Sequence, residues 1–415
     1  MIKPVVPQPG PSIDIETAPD PLAGTDAAMR FLQSYWQRRP ALLRATTVLG
    51  TPGLAEALSP AELIALAAKP DVESRLVRRQ GKRYRLEHGP FAAGALPSPD
   101  VGRWTLLVQG VDLHSEPAAG LRDRFRFVTD VRLDDIMVSL AANDGGVGPH
   151  VDSYDVFLIQ VHGRRRWRIA PPGVEAWQKD QPLRVLARFD PTEQWDLDPG
   201  DVLYLPPGWA HDGVGLGTCV TASVGFRSPN ARELLGSFLQ DQVDQMLEEA
   251  PAPDDPAGKP LTDRLEAAEF AHWRDHPAAL SPGLLRTMLT TLEQWRPAPE
   301  AMIDFVGRML TEPKPSTTFE APSPKRIATL GEQAAVAGIV LDRRTRMSYA
   351  ERTVFINGDS FMTDGRTAQL LTVLADHRQL DATEMSELLR DADVSDILID
   401  WLSLGWIHPL QRRQN

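Results

Sequence analysis

One cysteine, Cys219, stands in 415 residues. A lone thiol excludes an internal disulfide and every Cys-x-x-Cys zinc or redox motif, and it suits a reducing compartment. No apolar run approaches the roughly 20 residues of a membrane-spanning helix. Residues 1 to 25, MIKPVVPQPGPSIDIETAPDPLAGT, lack the basic, apolar and small-residue segments of a secretory signal, so the chain is expected in the cytoplasm. An excess of positive charge is missing too. Lys and Arg number 44 against 56 Asp and Glu, for a net charge of -12, which disfavours nonspecific attraction to nucleic acid or anionic membrane and favours a basic partner. What is present, 42% hydrophobic and 24% charged residues, is the composition of an ordinary globular protein of two or three domains.

The 36 prolines and 30 glycines punctuate the chain. The proline-rich stretch 1–25 reads as a flexible tail. Ala27, Phe31, Leu32, Tyr35 and Trp36 recur at helical spacing from Asp26, a candidate N-cap, to Arg39, and Pro40 stops the helix. Ser59-Pro60-Ala61-Glu62 opens a second helix through Ala68. Between residues 75 and 228 short β-rich runs, Trp104–Val108, Ile136–Leu140, Val156–Val161 and Val202–Leu205, alternate with Gly/Pro turns, as in an all-β barrel or sandwich. A long amphipathic helix follows from Arg232 to Glu249, with further helices between Leu261 and Leu310. Four prolines break the pattern between Thr311 and Pro324. The last ninety or so residues read as a winged-helix-like module, with helices near Arg366–Ala375 and Thr383–Leu389.

Chemistry concentrates in Gly145-Gly-Val-Gly-Pro-His150-Val-Asp152-Ser-Tyr154-Asp155. His-x-Asp on an extended chain points both side chains to one side, because strand side chains repeat every two residues. One distant histidine completes two imidazoles and a carboxylate on one face of an octahedral ion, a donor set suited to non-haem Fe(II). The motif alone is weak, since a second copy, His114-Ser-Glu116, occurs in a polar, helix-start-like segment that reads as surface. The best third ligand is His211, delivered by Pro199-Gly200-Asp201, a short apolar run and the turn Pro206-Pro207-Gly208-Trp209-Ala210. His272 and His276, at helical i, i+4 spacing, lack a carboxylate in the required place. His88, His162, His377 and His408 read as surface or packing residues. Cys219 reads as a small buried hydrophobe.

These segments, with Gly163-Arg-Arg-Arg-Trp-Arg168 between them, resemble the JmjC-type 2-oxoglutarate oxygenases. Within those the chain is most similar to the bacterial ribosomal oxygenases that hydroxylate an arginine of a large-subunit ribosomal protein of the L-sixteen family. Phe31-Leu32-x-x-x-Trp36-x-x-Arg39-Pro40, Val72 to Leu76, His88-Gly-Pro-Phe91, Trp104 to Gln109 and Ser223 to Pro229 also fit, so the resemblance covers about residues 27 to 235. Asn143-Asp144 before the glycine-rich turn departs from the family pattern.

The resemblance implies an α+β chain with a double-stranded β-helix core of the cupin/JmjC kind, an N-terminal α/β flank, a helical dimerisation region and a C-terminal winged-helix-like domain. The corresponding boundaries are 26–230, 231–312, a linker at 313–324, and 325–415. It also implies Fe(II) held by His150, Asp152 and His211, with 2-oxoglutarate and O2 as co-substrates and succinate and CO2 as products. The far carboxylate of 2-oxoglutarate falls to Arg165, whose alternative is a solvated basic strand end shared with Arg164 and Arg166. Ser223 is a second candidate for that carboxylate, or a strand serine facing solvent or backbone. Family position marks Asp135 and Tyr154 for the substrate guanidinium, although Tyr154 also suits packing and Asp155 suits orienting the metal loop. A homodimer is expected to bury the apolar helix face, with an intrachain core as the alternative. No direct nucleic-acid contact is expected. Two rivals are a JmjC oxygenase acting on another protein residue and a non-catalytic metal-binding cupin regulator.

Overall fold

Period-two patterning builds the centre of the molecule. The computed structural model describes residues 15, 18–92, 94–173, 175–248 and 282–411; His272, His276 and the expected helices before residue 282 lie outside them. Strands β1 (Ala41–Leu43), β2 (Ser74–Gln80), β3 (Arg83–His88), β4 (Trp104–Val108) and β5 (Leu133–Ala141) precede β6 (His150–Val151), β7 (Val156–His162) and β8 (Arg165–Ala170). The series continues with β9 (Glu193–Leu197), β10 (Val202–Leu205), β11 (Ala210–Gly215) and β12 (Cys219–Phe226). They form a large antiparallel sheet, β1-β10-β7-β12-β5-β4-β2-β3, and a smaller one, β6-β11-β8-β9. This is the double-stranded β-helix core.

Alternate residues of the large sheet serve two destinations. Ile136 and Val138 of β5, Phe157 and Ile159 of β7, and Ala222 and Val224 of β12 enter the main hydrophobic core with Phe31, Tyr35 and Leu63 from the flanking helices. Their neighbours Asp135, Met137, Ser139, Leu158, Thr221 and Ser223 face a cavity of about 380 Å³ that is also lined by His150, Arg165, Trp167 and His211 of the small sheet. A single strand thus supplies glue on one side and chemistry on the other.

The N-terminal flank departs in detail from the sequence reading. Pro21–Ala23 is a short 3-10 helix with Pro21 buried, so folded chain begins inside the stretch expected as a tail. The first helix, Thr25–Ser34, starts from Gly24 without a side-chain cap, and Asp26 lies in its first turn, where its charge favours the helix dipole. The second, Pro60–Ala67, begins as expected, with Ser59 Oγ accepting from Glu62 N at 3.4 Å.

The chain divides into two units, residues 1–228 with 310–415, and residues 229–309. In the second unit the helices Ala231–Glu248 and Pro299–Thr311 meet at Phe238 and Phe305, whose rings are 5.3 Å apart. Arg308 pairs there with Asp241 at 2.9 Å. Leu235, Leu239, Val243 and Met246 on the first helix are exposed. In the first unit the C-terminal module packs its own core around Leu370, Leu374, Trp401 and Ile407. It is tied to the barrel by Arg343, which donates to Leu113 O at 2.9 Å and meets Glu116 at 2.7 Å, and by Arg346, which donates to Leu133 O at 2.9 Å and to Asp134 O.

Candidate active site

Strand register brings the two histidines together. His150 on β6 is the cross-strand partner of His211 on β11, and their rings lie 4.2 Å apart. Asp152 follows on the next same-side position, with Oδ2 at 3.5 Å from His211 Nε2 and Oδ1 at 4.0 Å from His150 Nε2. One ligand atom from each of the three falls within 4.8 Å of the others, and no other metal-competent His/Cys/Asp/Glu group occurs among the described residues. Both rings are oriented from behind: His150 Nδ1 donates to Gly148 O at 2.9 Å and His211 Nδ1 to Trp209 O at 3.0 Å. A carbonyl only accepts, so each Nδ1 carries the proton and each Nε2 presents its lone pair to the Asp152 side. Burial, then the neighbouring His150, lowers His211 to about 4, which keeps it neutral and ready to ligate at neutral pH. Gly148 is required by its φ of +83°, and a Cβ there would meet Tyr84 Oη at 2.5 Å. These donors fit a divalent transition metal.

Asn143 and Asp144, just before the glycine-rich turn, hold it in place. Asn143 Oδ1 accepts from Gly217 N at 2.9 Å, and Asp144, at φ +59°, pairs with Arg79 at 2.9 Å and Arg103 at 3.2 Å. The second His-x-Glu motif is elsewhere. His114 ends a one-turn helix and exposed Glu116 begins the next one.

Arg165 is buried, whereas Arg164 and Arg166 point outward to Asp198 at 2.9 Å and Asp196 at 2.7 Å. Its Nη1 donates to Ser139 Oγ at 2.9 Å and lies 3.5 Å from Thr221 Oγ1, its Nη2 donates to Gly213 O at 3.1 Å, and its guanidinium sits 4.9 Å over the Trp167 ring. Nε has no partner, and no carboxylate forms an ion pair with Arg165 among the described residues. Burial pushes its guanidinium below the ordinary value. A wholly buried, uncompensated cation facing a cavity calls for an anion. Gly213 makes room for it, since a Cβ there would sit 2.6 Å from Arg165 Nε. Ser223 lines the same cavity, but the hydroxyls within reach of the guanidinium are Ser139 and Thr221.

Asp135 is buried at the cavity wall and Tyr154 is part-exposed at its lining. Burial, then the charges of Asp152 and Asp135, raises the Tyr154 phenol, which is therefore protonated. The adjacent Asp155 turns away into the core, where it accepts from Tyr204 Oη at 2.6 Å and Gln37 Nε2 at 3.0 Å. It anchors the segment that carries Asp152 and Tyr154. Sequence reasoning missed Ser139, Thr221, Gln109, Trp167 and Lys314. The first two share the period-two alternation of Asp135 and Ser223, a usable signal, whereas Lys314 comes from the proline-rich stretch at 313–324 with no local signal at all.

The JmjC domain signature matches residues 120–234, and a ROXA-like winged helix matches residues 289–408. The ribosomal protein uL16 3-hydroxylase of Escherichia coli strain K12 is 33% identical over 383 residues, covering 91% of this chain and 96% of that protein. A probable ribosomal oxygenase of Haemophilus influenzae is 35% identical over 211 residues, 49% of this chain and 50% of its own. Among solved structures, YcfD, a ribosomal oxygenase from Escherichia coli in complex with cobalt and 2-oxoglutarate, superposes with a TM-score of 0.73 at 30% identity, covering 92% of this chain and 97% of that one. Likeness of this length, on a barrel that brings His150, Asp152 and His211 together, places the chain in the family of JmjC-domain ribosomal oxygenases.

Proposed function

We propose that the protein is an Fe(II)- and 2-oxoglutarate-dependent dioxygenase that hydroxylates an arginyl residue of the large-subunit ribosomal protein uL16, consuming O2 and releasing succinate and CO2. The observation that carries this reading is one cavity holding both a two-histidine, one-aspartate donor set and a buried, unpaired guanidinium. Iron held by His150, Asp152 and His211 supplies the oxidising power when bound, with co-ordination positions left for the co-substrates.

The chain's own residues provide binding and orientation. Arg165 receives the far carboxylate of 2-oxoglutarate in a charge-assisted, two-pronged contact, with the Ser139 and Thr221 hydroxyls beside it and Ser223 on the same wall. Trp167 and Leu158 line that end with apolar surface, which limits water and strengthens the pairing. Asp135 offers the substrate guanidinium a carboxylate and Tyr154 offers it an aromatic face. The net charge of -12 favours the approach of a basic ribosomal protein without direct contact to nucleic acid.

The same reading assigns residues 26–230 to the oxygenase domain with its flank, 231–312 to dimerisation, 313–324 to a connecting stretch and 325–415 to the winged-helix-like domain. A homodimer covers Leu235, Leu239, Val243 and Met246, together with Leu285, Met288, Leu289 and Leu292 of the helix Pro282–Gln294. No described helix is long and apolar enough to cross a membrane, and the proposed place of action is the cytoplasm, where ribosomal proteins are made.

The test incubates the purified protein with Fe(II), 2-oxoglutarate, O2 and recombinant uL16 of its own host, and maps gained oxygen by tandem mass spectrometry beside a His150→Ala control. One added oxygen on an arginine, absent from the control, is the expected result. Consumption of 2-oxoglutarate without that product transfers the activity to another protein residue, and no consumption leaves a non-catalytic metal-binding cupin.

A further inference from the structure

Asp135 is buried beside two other carboxylates, Asp112 and Asp134, and burial together with their charge pushes it towards the protonated form. A protonated acid is a poor host for a guanidinium. Two groups act against this, and both address the same oxygen. Gln109 Nε2 donates to Asp135 Oδ2 at 2.7 Å, and Lys314 Nζ lies 3.0 Å from that Oδ2 and 2.8 Å from Asp134 Oδ2. The Gln109 amide is itself oriented, because its Oε1 accepts from Arg75 Nη2 at 3.1 Å. Oδ1 of Asp135 has no hydrogen bond or ion pair described to it.

We infer that Lys314 is a positioning residue for the substrate-binding carboxylate, and that the C-terminal part of the chain thereby completes the substrate pocket. Lys314 favours the ionised form of Asp135, holds Oδ2 together with Gln109, and leaves Oδ1 for the incoming guanidinium. The inference rests on the reading of Asp135 as the guanidinium's partner. Lys314 follows the helix Pro299–Thr311 and precedes the helix Pro324–Ala337. Arg346, deeper in the module, holds the backbone of the same strand through Leu133 O and Asp134 O. Arg346 of the module therefore grips β5 at its start by backbone, and Lys314 of the connecting stretch grips it, one residue further, by side chain.

The experiment measures steady-state kinetics of the full chain with a uL16-derived peptide containing the target arginine, for wild type, Asp135→Asn, Lys314→Met, Lys314→Arg and Gln109→Leu. Lys314→Met is expected to raise the peptide KM by about tenfold or more, the scale of one charge-assisted contact, while the KM for 2-oxoglutarate stays within about twofold. The acidic limb of the kcat/KM profile moves to higher pH, since the groups left facing Asp135 are Asp112, Asp134, Tyr154 and neutral Gln109. Lys314→Arg restores most of both properties. Gln109→Leu raises the peptide KM without touching the C-terminal segment, which separates positioning from loss of docking. An unchanged or lowered peptide KM in Lys314→Met, with Asp135→Asn impaired, overturns the inference, a lowered one marking Lys314 as a competitor for the substrate's place. An Asp135→Asn variant with wild-type KM overturns the assignment of Asp135 itself.

Discussion

Replacing Arg165 with methionine is expected to weaken 2-oxoglutarate binding by two to three orders of magnitude while leaving the apo protein as stable as wild type. Breaking a buried charge pair from one side costs about 3–5 kcal/mol, because the ligand carboxylate is left desolvated and unpaired. At 1.36 kcal/mol per decade this is roughly a 10²- to 10³-fold loss, or somewhat more. In the apo protein the terms oppose one another. Gly213 O loses its donor, at about 1–3 kcal/mol, while a buried cation without a carboxylate partner gives way to an apolar chain of similar length over Trp167. Thermal unfolding with and without 2-oxoglutarate and a divalent metal separates the two. Wild type gains about 2.7 kcal/mol from 2-oxoglutarate at one hundred times its Kd, and the variant gains almost nothing at that concentration. A retained ligand shift, or an apo protein destabilised by more than about 3 kcal/mol, refutes the assignment of Arg165 as a cation waiting for an anion.

Gly213→Ala places a methyl 2.6 Å from Arg165 Nε and 2.7 Å from the Trp167 ring, and is expected to cost about 1–3 kcal/mol by urea titration and to raise the KM for 2-oxoglutarate. In Asp342, burial opposes ionisation, but the hydrogen bond from His408, the Arg344 backbone N–H and the Arg344 charge hold the carboxyl below its ordinary value. Its stabilisation is therefore complete above the unfolded value near pH 4 and is lost as pH falls through the folded one, so Asp342→Asn flattens that acid limb in urea titrations across pH. Cys219 is buried and burial raises its thiol, so iodoacetamide at pH 8 is expected to modify it only after denaturation, as read by intact mass.

The barrel and the donor set that His150, Asp152 and His211 bring together were readable because their determinants are local. Trp104–Val108 and Val202–Leu205 coincide with β4 and β10, and His150-x-Asp152 carries its own period-two geometry. Arg165 separates from Arg164 and Arg166 by the same alternation. The reading went astray where partners are distant. Asp26 looked like an N-cap, yet the helix begins one residue earlier at Thr25, with no side-chain cap. Ser223 has a plausible spacing from His211, but which hydroxyl meets Arg165 depends on the pairing of Thr221 with Ser139 across β12 and β5. Lys314 is 179 positions from Asp135, in the proline-rich connecting stretch, and no local pattern announces their contact.

The pairing of His150 with His211 joins residues 61 positions apart in the chain, across the two-residue strand β6. Few backbone bonds hold so short a strand, and a slip of one residue would turn one imidazole to the opposite face. Metal competence therefore depends on the register of one short strand pair. The time course of metal uptake during refolding then reports the closing of the small sheet, the wall of the barrel that carries both histidines.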